Sequence, residues 1–571
     1  MRSALVGWVA AVLAGAGAGA AAGASEPAIR FTEVAERAGI RFINMYGGVR
    51  SKDLILETTG TGAALFDYDA DGDLDLFLAN GSRLGYGDAQ SLSSALFRND
   101  GAGSFTEVTG PAGLESYGWA QGVAVTDHEN DGDLDLLVTR YGPNLFFRNR
   151  GDGTFEEVAA EVGLDDPQWG AGAAFGDLDR DGAADLVVVH YVDLDPETTP
   201  GPGAAPNCFF LGIPVMCGPK GLRPAPALLY RAEADGSFRQ VSDAGVGAER
   251  VFGLGVVLFD LEGDGDLDIY AANDQTPNHL YRNDSDGGRL AFREIGLAAG
   301  VAYNEDGRAQ AGMGVDAGDV DGDGRIDLVV TNFSHDYNTL YRAAGDGWFL
   351  DESFAAGIAE PSYPYLGWGA GLRDFDLDGW LDLLVVNGHV YPEVEGGITD
   401  SDYAQAGLLF RNAGAGQFTA IDPGPLAAPR VYRGAAFGDT DGDGDPDVVA
   451  TVMNGAPAYF RNESAVDGGG PGAWAGFRLV GRTSPRDGAG TRLVLDRNDG
   501  TVVREARTSG SYLAANDPRV VFGLGDAPET GPVRLTWPSG CRQTVDPAVG
   551  QYQLVVEPPR CPAETPTAPP P

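Results

Sequence analysis

The chain has 571 residues, with 39 Lys and Arg against 83 Asp and Glu, a formal charge of -44, and 85 Gly. Charge of that sign excludes a nucleic-acid binder that works by neutralising phosphate, since both partners would repel. Hydrophobic residues at 43% exclude a disordered acidic chain. The acid is therefore structured and calls for a cation.

The first 24 residues read as a secretory signal peptide. Arg2 supplies a basic start, Leu5 to Leu13 is an apolar run, and Ala22-Gly23-Ala24 is a small-x-small cleavage site. The run is short and diluted by Gly and Ala for a membrane anchor, which needs about 20 apolar residues. Cleavage near Ala24 predicts a secreted or periplasmic protein without a membrane span. Taking Arg2 away from -44 leaves a mature charge of -45.

One nine-residue phrase then recurs seven times. Its acidic positions 1, 3, 5 and 9 are Asp67, Asp69, Asp71 and Asp75 in the first copy, and Asp127, Glu129, Asp131 and Asp135 in the second. The third has Asp177, Asp179, Asp181 and Asp185, and the fourth Asp260, Glu262, Asp264 and Asp268. Asp319, Asp321, Asp323 and Asp327 form the fifth, Asp374, Asp376, Asp378 and Asp382 the sixth, and Asp439, Asp441, Asp443 and Asp447 the seventh. Intervals of 60, 50, 83, 59, 55 and 65 residues suit propeller blades, with one insertion, 193–226, after the third copy.

Each phrase lies between a Gly-rich apolar strand such as Gly170 to Phe175 and a β-prone run such as Leu186 to Val189. A Phe-Arg-Asn-like strand and a Phe-x-Glu-Val strand follow, making four per blade. The seventh copy lacks its last strand, and Phe31-Thr-Glu-Val34 supplies one at the front of the mature chain. Residues 27–464 are thus expected to form an all-β, seven-bladed propeller closed by its N-terminal strand, leaving no open edge.

Asp at positions 1, 3, 5 and 9 with Gly at 6 is the first half of an EF-hand-like loop, here between strands. Hard carboxylate oxygens suit Ca²⁺, with the carbonyl at position 7 as a further ligand. Asp-Gly alone turns a chain, but a turn does not require four mutually repelling carboxylates. About seven Ca²⁺ are expected, with Glu129 and Glu262 shifting or weakening two of the sites. The phrase and its flanks resemble the FG-GAP/VCBS repeat of integrin α-subunit propellers, which implies Ca²⁺ loops on one face.

A Gly-rich linker, 465–473, leads into a third region, 474–558, whose short β-prone runs and turns predict a small β-sandwich. Asp487-Gly-Ala-Gly-Thr-Arg492, Phe522-Gly-Leu-Gly525 and Trp537-Pro-Ser-Gly540 resemble the ASPIC/UnbV domain. The order of the two domains is similar to that of the cartilage-acidic-protein-like family, a resemblance that implies architecture more than activity. A Pro-rich tail, 559–571, ends the chain. Four Cys in an exported chain suggest two disulfides, with three possible pairings. Cys208 with Cys217 inside the insertion is the simplest, and Cys541 with Cys561 would pin the tail.

If the acidic loops lie on one face, the turns after the second strands lie on the other. His190, His279, His335 and His389 fall there, with Asn273, Asp274, Asn332, Asp336, Asn387, Tyr391 and Glu393. Such a concave face is the expected site for a glycan, a peptide or a matrix or cell-surface protein. The alternative is an extracytoplasmic enzyme whose His hold Zn, Cu or Fe; a third reading is that each His bonds within its own turn. Trp119, Trp169 and Trp368 read as packing between blades. Arg150-Gly151-Asp152 is the repeat's own turn and not an adhesion signal, and no nucleophile pattern designates catalytic residues.

Overall fold

The computed structural model describes residues 29–345, 347–396, 399–464, 472–497, 500–525 and 530–561. The signal peptide, most of the linker, Asn498-Asp499 and the tail beyond Cys561 lie outside the described residues. Seven four-stranded antiparallel sheets form the propeller. Blade 1 pairs Ala63–Phe66, Asp75–Leu78, Ala95–Asn99 and Phe105–Glu107 in that order. Sequence and structure agree on the strands at either side of every acidic phrase.

The first strands are buried on both faces, as in Ala120–Thr126 and Gly253–Phe259. Their glycines reflect how closely neighbouring blades approach near the axis. A Cβ on Gly314 would stand 2.0 Å from the Trp368 carbonyl oxygen, and one on Gly255 2.2 Å from that of Met313. Trp169 and Trp368 are buried within this core, whereas Trp119 is half-buried against Tyr46.

The N-terminal strand Phe31–Glu33 completes the seventh blade, pairing Phe31 with Asn462 and Glu33 with Phe460. A second clasp comes from the Asn that ends most third strands. Asn99 Nδ2 donates to Leu74 O of its own blade (2.9 Å) and to Thr440 O of blade 7 (2.7 Å). Asn149, Asn283, Asn412 and Asn462 each make the same pair of bonds, one to their own loop and one to another blade's loop. Blades 3 and 5 have Ala232 and Ala343 at this position.

The C-terminal domain has two sheets around one core. Ala473–Val480 lies between Val520–Gly525, antiparallel, and Tyr552–Val556, parallel. Arg492–Arg497, Gly500–Glu505, Val533–Thr536 and Arg542–Val545 form the second sheet. Phe477, Phe522, Leu493, Leu535 and Trp537 fill the space between. Both simplest disulfides form, Cys208–Cys217 and Cys541–Cys561.

This domain packs on the acidic-loop face and sends a finger, residues 508–517, up the propeller axis. Ser511 exchanges both backbone bonds with Val315, and Ala515 bonds Ala63 and Leu65. Leu513 O accepts from Val123 N, and Asn516 Oδ1 from Phe437 N. Tyr512, fully buried, packs on Trp368 at 4.8 Å and donates to Thr59 O. Ser511 to Leu513 fall inside the region 474–558 expected to form a sandwich, yet in the structure they fill the channel.

Asn99→Ala would leave two buried carbonyls unpaired. The expected cost is about 1–3 kcal/mol, read as a lower urea midpoint, whereas the same change at exposed Asp100 should move the midpoint little.

Candidate metal centres and the opposite face

All seven acidic loops share one hydrogen-bond scheme. The position-6 glycine adopts a left-handed backbone (φ +87 to +106 across the seven). Its amide donates to the position-1 carboxylate at 2.8–3.1 Å. The position-5 carboxylate accepts from the position-7 amide at 2.9–3.2 Å. The position-9 carboxylate takes the position-2 amide, as in Tyr68 to Asp75 (3.0 Å), and a third-strand amide, as in Asn99 to Asp75 (2.8 Å). Position 9 is therefore the hinge between loop and blade, a role its spacing did not reveal.

Five loops bring three carboxylate oxygens within 4.8 Å of one another, and they are the five with Asp at position 3. Three clusters use positions 1, 3 and 5: Asp67/Asp69/Asp71, Asp177/Asp179/Asp181 and Asp439/Asp441/Asp443. Two use positions 1, 3 and 9: Asp319/Asp321/Asp327 and Asp374/Asp376/Asp382. No such cluster forms in the second and fourth loops among the described residues. There the longer Glu129 reaches Arg148 Nε at 2.7 Å, and Glu262 faces Arg282 at 3.9 Å. Of the seven loops expected to hold Ca²⁺, five gather three carboxylates, and the two carrying Glu at position 3 are the two that differ.

The gathered carboxylates fit a hard divalent cation. Asp67, Asp69, Asp179, Asp374 and Asp441 each keep a buried Oδ1 with no hydrogen-bond partner, so four of the five clusters hold an unsatisfied oxygen. Burial pushes Asp75 and Asp135 up to about 8, and Asp127 and Asp177 up to about 7, against the lowering pull of their amide donors.

The C-terminal domain lays arginines across this face. Arg478 pairs with Asp67 at 3.2 Å, and Arg492 donates to Gly324 O at 2.6 Å. Arg497 and Arg504 reach the sixth loop's carbonyls, and Arg519 bonds Asp439 O. Residues 472–561 carry eleven Arg against nine Asp and Glu in an otherwise acidic chain. That crown went unnoticed in the sequence, although the local charge balance signals it.

On the opposite face the structure corrects the picture of an open concavity. His190, Asn273, Asp274, His279, Asn332, Asn387, His389 and Tyr391 are buried, and His335, Asp336 and Glu393 are half-buried. The three Asn are turn clamps, donating to Pro277 O, Tyr337 O and Ala406 O at 2.7–2.8 Å. Leu54 to Leu56, the insertion's Val215 and Met216, and Val390 and Val394 fill the space above the axis. Phe210 of the insertion packs against Phe333, His389 and Tyr391 at 5.2–5.9 Å.

The four His have local and separate partners. His190 faces Pro226 O and Asp166, His279 faces Tyr281, and His335 faces Asp400. His389 accepts the Tyr391 amide on Nδ1, so its neutral ring carries the proton on Nε2, 3.5 Å from Ser334 Oγ. Burial, with Arg433 and His335 adding to it, pushes His389 down to about 3, and in that tautomer it cannot take the serine proton. Apolar and aromatic side chains that reach solvent here include Ile43, Val49, Tyr86, Leu92, Tyr117, Phe209, Leu211 and Tyr363.

Sequence comparisons agree with this architecture. The FG-GAP-like repeat model matches residues 67–138, 127–188, 260–330, 319–385 and 374–450, more than half of the chain. The ASPIC and UnbV model matches 481–562. Cartilage acidic protein 1 of Homo sapiens is 25% identical over 368 residues, covering 53% of each chain. That of Xenopus tropicalis is 26% identical over 314 residues, covering 53% of this chain and 44% of its own. The chain spans about half the length of these curated relatives. A solved structure of an Agrocybe aegerita lectin recognising non-reducing terminal N-acetylglucosamine is 14% identical, covering 76% of this chain and 93% of its own, with a TM-score of 0.36.

Carboxylates raised by burial stabilise the fold while protonated and cease to do so as pH rises through their folded values. In chelator, the melting temperature is therefore expected to fall as pH rises from about 4 to about 8, and excess Ca²⁺ should reverse most of that fall at pH 8. A melting temperature that climbs across this window in chelator contradicts the account.

Proposed function

This chain belongs to the FG-GAP-like repeat family and carries a C-terminal ASPIC and UnbV domain, and from that premise we propose that it is an exported, calcium-binding interaction module. Ca²⁺ would be held by the five gathered loops through Asp67/Asp69/Asp71, Asp177/Asp179/Asp181, Asp319/Asp321/Asp327, Asp374/Asp376/Asp382 and Asp439/Asp441/Asp443. Bound there, it supplies the positive charge that lets these carboxylates pack together. Export is supported by the N-terminal signal pattern and by two disulfides, which persist in oxidising compartments.

The observation that carries the binding reading is the asymmetry of the faces. The acidic-loop face is covered by the protein's own C-terminal domain and its channel is filled by residues 508–517. A partner of any size must use the opposite face or the rim. The opposite face offers the solvent-exposed apolar and aromatic side chains of Tyr86, Tyr117, Phe209 and Leu211, the last two on a hairpin closed by Cys208–Cys217. Tyrosine faces suit sugar rings and peptide side chains alike, which favours a glycan or a matrix or cell-surface protein as partner. The buried residues first singled out there would act as scaffold beneath this surface. Transition-metal catalysis gains no support from the four separated His.

Elemental mass spectrometry on protein purified without chelator should find about five Ca²⁺ per chain; near zero would sink the calcium reading. On arrays of glycans and matrix proteins, Tyr86→Ala and Leu211→Asp should weaken retained binding at least about tenfold. Asp152→Asn, in the loop-face turn, should leave it unchanged. Equal binding by all three variants would remove the assigned surface.

A further inference from the structure

The five clusters differ in how far the C-terminal domain covers them. In the first loop Asp67 and Asp69 are half-buried and Asp71 is exposed. In the sixth, Asp374, Asp376 and Asp382 are all buried, at 6%, 5% and 0% exposure. Asp374 Oδ1 has no hydrogen-bond partner there.

The cover is the strand Val520–Gly525. A Cβ on Gly523 would stand 2.1 Å from Asp374 Oδ2 and 2.5 Å from the Leu377 carbonyl carbon, so the strand's bare backbone lies directly on the loop. Gly525 N donates to Leu377 O at 2.9 Å, Arg497 to Asp378 O at 3.0 Å and Arg504 to Gly379 O at 3.1 Å. Arg411 pairs with Asp376 and Asp378 at 2.7 and 2.9 Å. Arg504 and Arg497 lie close to Asp374 and Asp378 as well, so three guanidinium groups face four carboxylates, of which only Asp378 is half-buried, and buried charge without full compensation is costly.

We propose that the sixth loop and the Phe522-Gly-Leu-Gly525 strand together form an occluded divalent-cation site, in which one Ca²⁺ is trapped between the two domains. The inference rests on the calcium reading above and adds where an ion is held and how it leaves. A cavity of about 110 Å³ adjoins Asp374, and its walls balance Arg373, Arg504, Arg507 and Arg519 against Asp439, Glu505 and Asp517. What bars the way out is the bare backbone of Gly523 and Gly525 seated on the loop. Exchange therefore waits for the C-terminal domain to lift, a sub-global opening, while ions in the more open loops exchange freely.

The test is protein loaded with radioactive calcium and moved into excess unlabelled Ca²⁺, with retained label followed by rapid gel filtration. One ion per chain is expected to leave at least about tenfold more slowly than the rest. Gly523→Ala should keep the ion count and abolish the slow phase. Should that variant fail to fold, Asp374→Asn should lose one ion together with the slow phase and leave the fast phase unchanged. Normal calcium content released in a single fast phase overturns the occluded site alone. Absence of bound calcium overturns the calcium reading and this site with it.

Discussion

The amide of a left-handed glycine, donated to the first carboxylate of its own loop, folds each acidic phrase back on itself and sets its aspartates side by side. Like charges within 4.8 Å repel strongly unless a cation or a ring of donors answers them. Much of the remaining architecture supplies that answer. Position-9 aspartates spend both oxygens on backbone amides, third-strand arginines such as Arg231 and Arg411 lean onto positions 3 and 5, and the C-terminal domain lays its arginines across the face.

The same constraint divides the molecule into two unlike faces. Where carboxylates crowd, a second domain seats itself and fills the axis with Tyr512 and Leu513. Where they do not, apolar side chains and a disulfide-closed hairpin close over the axis, and buried Arg433 answers carbonyl oxygens instead of carboxylates, donating to Thr58, Gly388, Tyr432 and His389 while lying 4.2 Å over Trp368. One end of the ring is thus set by electrostatics and the other by packing.

What could be read from sequence followed from periodicity. Strands flanking each phrase, the blade count, the donated Phe31 strand and the Cys208–Cys217 pair all lie in local or repeating patterns. The departure of the Glu129 and Glu262 loops from the other five was also legible, since one methylene changes reach within a fixed turn. The burial of His389 was not, because Phe210 arrives against it from an insertion more than 170 residues earlier. Likewise Gly523 shows no special role until it is seen pressed against a loop of another domain.

The strand that completes the seventh blade has a consequence for how the molecule is made. Six blades pair strands close together in the chain and can form as they are synthesised, N-terminal first. The seventh cannot: Phe31 is among the first structured residues to emerge and must wait for Asn462. Until then blade 1 lacks its neighbour, Asn99 lacks its Thr440 partner, and the channel that will receive residues 508–517 has no complete wall. Ring closure and domain docking therefore rest on contacts between distant parts of the chain, the pairings whose loop-closure cost is largest.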